Sequence, residues 1–114
     1  MASKLYKSCD QVLFWKNAKD RNGDPIADDA TGTYSIISRH RVNEDGEFDA
    51  DGEFQELAAG SLEWVSAGRF EAVLDADVTA DVIIGMFYTI ELILADPDGN
   101  DGRKVLVVEG ADQT

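Results

Sequence analysis

Histidine, cysteine and proline are almost missing from this chain of 114 residues, which has one His, one Cys and two Pro. The single cysteine, Cys9, excludes an intramolecular disulfide and a thiolate metal cluster within one chain. It reads as a small, partly buried residue near the first strand, because a reactive thiol needs a basic setting and only Lys7 lies near it. The single histidine, His40, is the only residue on which a Ser-His-Asp or Cys-His arrangement could be built. It lies between Arg39 and Arg41 in a strand-like segment, a setting that suits a sheet surface better than a triad. No apolar run approaches the roughly 18 residues of a membrane-spanning helix. The opening Met1-Ala2-Ser3-Lys4-Leu5-Tyr6-Lys7 has no apolar signal-peptide core, so the expectation is synthesis in the cytoplasm without a signal peptide. Phosphate-binding patterns of the GxxxxGK[ST] or GxGxxG kind do not occur, and no internal repeat or sustained helical periodicity is visible.

What the chain has in excess is acid. Its formal net charge is −13, from 23 acidic and 10 basic residues. The charge is polarised: residues 1–41 hold seven basic and five acidic groups, whereas residues 42–114 hold three basic and eighteen acidic ones. Such a surface repels phosphate backbones and anionic lipid, so neither nucleic acid nor a membrane is an expected partner. Asp outnumbers Glu and Lys is scarce, a balance that would also suit a saline environment.

The pattern of apolar residues points to an all-β domain spanning residues 1–114. Gln11 to Ala18 is an aromatic, apolar strand. The segment Asp20-Arg21-Asn22-Gly23-Asp24-Pro25 reads as a turn, and Asp28 to Gly32 as a loop. In the strand Thr33–Arg41, Tyr34, Ile36, Ser38 and His40 share one face and Thr33, Ser35, Ile37 and Arg39 the other. Residues 43–53 are the most polar stretch, expected as a long acidic loop or loose hairpin pinned to the body by Phe48 and Phe54. A short strand at Leu62–Ser66, a turn at Ala67-Gly68 and a strand with Phe70, Ala72 and Leu74 on one face follow. Asp75 to Ile84 reads either as one short helical turn near residues 77–83, with Asp77 as its cap, or as an irregular crossover between sheets. The strongest strand is 86–94, where Tyr88, Ile90, Leu92 and Leu94 form a wholly apolar face. Asp96 to Gly102 reads as a tight turn, Arg103 to Glu109 as the closing strand, and 110–114 as a polar tail. About seven short strands with frequent turns suit an Ig-like antiparallel β-sandwich.

Groups able to carry chemistry are few. Carboxylate pairs such as Glu63 with Glu71, or Asp75 with Asp77, are better read as solvated faces than as a glycosidase pair, which needs one desolvated carboxyl in a cleft. Asp96, Asp98 and Asn100 match the first three ligand positions of an EF-hand loop, but Asp101 stands where Gly belongs and Val107 where Glu belongs. Looser calcium cages at Asp75, Asp77 and Asp81, or at Asp49 and Asp51, remain open; no other cofactor is indicated. The candidate interaction residues are Trp15, Trp64, Arg39, His40 and Arg41, with core packing as the competing role for the two tryptophans.

One resemblance emerges from these segments. The order of a Gly-x-aromatic strand from Gly68, an Asp-rich link, a Gly-x-aromatic-Tyr strand from Gly85, an Asp-Gly turn and a closing strand resembles Ig-like β-sandwich domains of tailed-phage virion proteins. Baseplate-adaptor and head–tail or neck proteins are examples. Tyr6 to Val12 looks like their opening strand and Asp20 to Ile26 like their first turn, while Cys9 stands where a Gly often precedes the Asp, and the 43–53 loop is longer than usual. The resemblance implies a non-enzymatic structural protein located in the virion, assembled with copies of itself and other virion proteins into a ring or symmetric array. The alternative is an extracellular module that binds carbohydrate or a cell surface through an exposed tryptophan.

Overall fold

The computed structural model describes residues 3–19, 23–26, 30–95 and 102–112. These form seven strands and one helical turn: β1 (Ser3–Tyr6), β2 (Gln11–Trp15), β3 (Thr31–Val42), β4 (Glu53–Ser66), β5 (Arg69–Leu74), α1 (Ala76–Thr79), β6 (Phe87–Ala95) and β7 (Gly102–Ala111). The chain is therefore all-β, as its alternating apolar pattern requires.

All seven strands belong to one hydrogen-bonded order, β1-β7-β6-β3-β4-β5-β2. Every neighbouring pair is antiparallel except β1 and β7, which run parallel. The wholly antiparallel arrangement expected from the sequence is thus a mixed one. β1 and β2 are the two ends of this order, yet only residues 7–10 separate them in the chain. The sheet must curl until its edges approach, which brings it close to a barrel. β4 makes the second corner. Its Glu53–Leu62 portion pairs with β3, and Glu63–Ser66 pairs with β5. At the seam between the edges, the Gln11 side chain accepts from the Tyr6 N–H at 2.7 Å and donates to the Lys4 carbonyl at 3.3 Å. One amide side chain thereby takes the place of a missing strand neighbour.

The core lies inside the curl. Tyr88, Ile90, Leu92 and Leu94 of β6 are all buried, and they meet Phe70, Ala72 and Leu74 of β5, Ile36 of β3 and Leu62 of β4. Each large side chain removed from water here contributes about 1.5–3 kcal/mol, so the period-two pattern of β5 and β6 fixes which face turns inward.

Several boundaries differ from those expected. Residues 54–61, for which the sequence pattern carries no assignment, are strand, as is Glu53 at the end of the expected loop: Ala58-Ala59-Gly60 has weak β propensity, and the pairing with β3 supplies what local preference does not. β1 ends at Tyr6 instead of continuing to Val12, because Ser8 takes a positive φ of 57° that turns the chain. Asn17, at φ 56°, likewise ends the aromatic strand before Ala18. The helical turn is capped by Asp75, not Asp77: Asp75 has extended backbone and its side chain accepts from the Val78 N–H at 3.1 Å. Gly110 and Ala111 belong to β7 and not to a tail. The Gly110 N–H donates to Met86 at 2.8 Å and its carbonyl accepts from Gly85 at 2.9 Å, while a side chain there would collide with the Ile83 carbonyl. Cys9 is half-buried, and its backbone is held on both sides by the Thr79 hydroxyl. The expected turn at 96–102, including Asp96, Asp98 and Asn100, lies outside the described residues apart from Gly102, as do Asp20, Arg21 and Asn22 of the earlier turn and Asp28 and Asp29 of the loop after it.

Candidate functional site

β3 outruns its neighbour. Its last residue paired with β6 is Ser38, opposite Tyr88, so residues 39–42 continue beyond β6 with β4 on one side and, at Arg41 and Val42, the returning Phe48 and Asp49 on the other. These residues, the turns that follow and the first residues of β4 make an arm. Within it the strand pairing slips. Ile37 lies opposite Glu56 and Arg41 opposite Phe54, so β3 spends three residues where β4 spends one. This is a β-bulge, which re-aims side chains.

Ser38 makes the bulge possible. Its buried hydroxyl donates to the His40 carbonyl at 2.7 Å and accepts from the Gln55 N–H at 2.8 Å, so the displaced backbone groups are satisfied. The consequence is that Arg39, His40 and Arg41 are all exposed, three in a row, in a strand that alternates before them. His40 does not share the inward face of Ser38, as strict alternation would require; the surplus residues turn it out.

Two phenylalanines stand beside these residues. Phe48 is 60% exposed and Phe54 52% exposed. They do not pin the polar segment to the body of the protein, as their apolar character suggests. They serve the arm: the His40 and Phe48 rings meet edge to face with centroids 5.4 Å apart, and the Arg41 guanidinium lies 5.0 Å from the Phe54 centroid. Arg41 Nη1 also donates to the Gly52 carbonyl at 3.2 Å. Together Arg39, His40, Arg41, Phe48, Asp49, Ala50 and Phe54 line an open concavity of about 450 Å³.

The acidic stretch that follows is built of tight turns. The Asn43 side chain accepts from the Asp45 and Glu47 N–H groups at 2.9 and 3.0 Å, and Asp49 does the same for Asp51 at 2.9 Å. The Asp49 N–H returns to the Arg41 carbonyl at 3.0 Å. Far from a loose loop, the segment is a hydrogen-bonded cap on the arm. At its root, buried Tyr88 donates to Gln55 Oε1 at 2.8 Å and accepts from the Ile83 N–H at 2.9 Å, while Gln55 Nε2 donates to the Asp81 carbonyl at 3.0 Å. Burial pushes the Tyr88 phenol above its usual 10.0, the Ile83 N–H pulls against this, and the nearby Asp81 charge adds to it.

The tryptophans lie elsewhere. Trp15, Phe70 and Trp64 form one cross-strand row on β2, β5 and β4. Trp15 is half-buried and packs against the core, whereas Trp64 is 41% exposed. The structure therefore groups Arg39, His40 and Arg41 but separates them from both tryptophans. Glu63 and Glu71 do stand directly opposite each other, with Arg69 Nη2 3.3 Å from Glu71. On the same face as Glu63 and Glu71, away from the tryptophan row, Val12, Phe14, Val65 and Val73 are exposed, with Lys16 and Arg69 over the Phe14 ring at 5.0 and 5.3 Å. From the sequence Phe48 and Phe54 are expected to pin the polar segment and are not among the candidate interaction residues; the signal for the role they have is apolar residues in an otherwise charged stretch.

Among the described residues no three His, Cys, Asp or Glu side chains gather as a metal-holding group. Asp75 caps α1 and Asp49 closes a turn. Compared with known proteins, the chain matches no family model, no curated protein and no solved structure.

Proposed function

We propose that this chain is a non-catalytic structural subunit of a tailed-phage or virus particle, serving as an adaptor, neck, tail or capsid-surface protein through contacts in a symmetric assembly. The observation that carries this reading is the arm. A satisfied bulge holds Arg39, His40 and Arg41 outward beside two exposed phenylalanines, on a protein of net charge −13. Aromatic and Arg side chains in an exposed cluster are the composition of protein–protein contact sites. The exposed Val12, Phe14, Val65 and Val73, interleaved with Glu63 and Glu71, offer a second such surface. An Ig-like sandwich is the finer fold reading within this proposal, supported by β4 and the β1–β2 turn acting as corners at which the chain passes from one layer to the other.

Sequencing the genes that flank this one tests the reading. Neighbours encoding a portal, a terminase, a major capsid protein or a tape-measure protein are expected. Neighbours encoding sugar-processing enzymes or surface anchors would overturn it and favour a carbohydrate-binding module.

A further inference from the structure

The arm is electrostatically divided along its own length. Its β3 part, 39–41, carries Arg39, His40 and Arg41, and the next stretch, 44–53, carries Glu44, Asp45, Glu47, Asp49, Asp51 and Glu53 with no basic residue. All of these are exposed except Asp49, which is half-buried. Phe48 and Phe54 belong to the acidic part in sequence, yet their rings lie against His40 and Arg41.

We infer that this arm is a docking element for the arm of a second copy of the same chain, related by a two-fold axis. The inference rests on the assembly reading above and names its partner. An isologous contact needs a surface complementary to itself, in which residue i meets j and j meets i. Two arms laid antiparallel satisfy that. The Arg39–Arg41 stretch of each faces the carboxylates of the other, and the four phenylalanines come together at the centre. Exposed aromatic rings flanked by charge become the dry centre and polar rim of such a contact. The arm also runs past the last β6 partner, so two arms can pair while the rest of each strongly acidic body stays back. At ~0.15 M salt the repulsion between bodies is screened beyond ~8 Å, and the close opposite charges are screened less.

Sedimentation velocity on purified full-length protein, at ~0.15 M salt, tests this with two variants. Arg39→Glu/Arg41→Glu makes the arm wholly acidic, and Asp51→Lys/Glu53→Lys makes it more basic; the altered side chains are exposed, and circular dichroism checks that each variant is folded. The wild type is expected to dimerise. Each variant alone should bind itself more than about tenfold more weakly, and an equal mixture of the two should form a heterodimer. Phe48→Ser should weaken the wild-type dimer in the same way. A monomeric wild type, variants that associate as tightly as wild type, or a mixture no tighter than its components would overturn the arm contact. Particle genes beside this one, found together with any of those outcomes, would leave the assembly reading standing and remove only the arm dimer.

Discussion

Ser38 and His40 are joined by a hydrogen bond of 2.7 Å from the hydroxyl of one to the carbonyl of the other, two residues apart on the same strand. Because the same oxygen accepts from Gln55 across the sheet, a single buried hydroxyl holds the bulge closed. The orientation of Arg39, His40 and Arg41 depends on it.

Ser38→Ala should cost about 1–3 kcal/mol, since it strands the Gln55 N–H in a part-buried site. Urea unfolding would show a lower midpoint with an unchanged slope. A variant as stable as wild type would mean that the bulge is held by other contacts.

Tyr88→Phe removes both the donor to Gln55 and the acceptor for Ile83, and a loss of similar size, about 1–3 kcal/mol, is expected. The phenol also predicts an alkaline limb. Its folded-state value is raised above 10.0, so the folded protein holds this proton more tightly than the unfolded one. The associated stability is complete below pH 10.0 and is lost as pH climbs toward the folded value. In Tyr88→Phe this part of the loss should vanish from a plot of unfolding free energy against pH.

Gly110→Ala should be destabilising by about 1–3 kcal/mol or more, because the new methyl group would collide with the Ile83 carbonyl in a backbone crossing that has no room to relax. Thermal unfolding measures it, with Gly23→Ala as a comparison at a turn where no atom stands near and the strain comes instead from a positive φ of 84°, which Gly110 lacks.

Gln11→Ala should open the seam between β1 and β2 at a cost of about 1 kcal/mol. Hydrogen exchange at the Tyr6 amide, which Gln11 accepts, should accelerate more than that of the Leu92 amide in the central strand β6.

The interior was legible in the residues because burial enforces period two. Tyr88, Ile90, Leu92 and Leu94 face the core, as do Phe70, Ala72 and Leu74, and no other strand assignment would hide all seven. The arm was legible only in composition. Arg39, His40 and Arg41 stood out as a basic run, yet their common exposure follows from a slip in pairing that strict alternation does not predict. The first half of β4 was hidden for a related reason: Ala58, Ala59 and Gly60 become strand because β3 lies beside them, a long-range cause with no local trace. The parallel pairing of β1 with β7 joins residues more than a hundred positions apart, such as Ser3 and Val108, and it too has no signature in spacing.

Light scattering on the purified protein across a wide concentration range reads directly whether this chain works by assembling through its surface. The mass is expected to rise to an integer multiple of the chain mass as concentration increases. A mass equal to one chain at every concentration, with no uptake by purified particles, would contradict it.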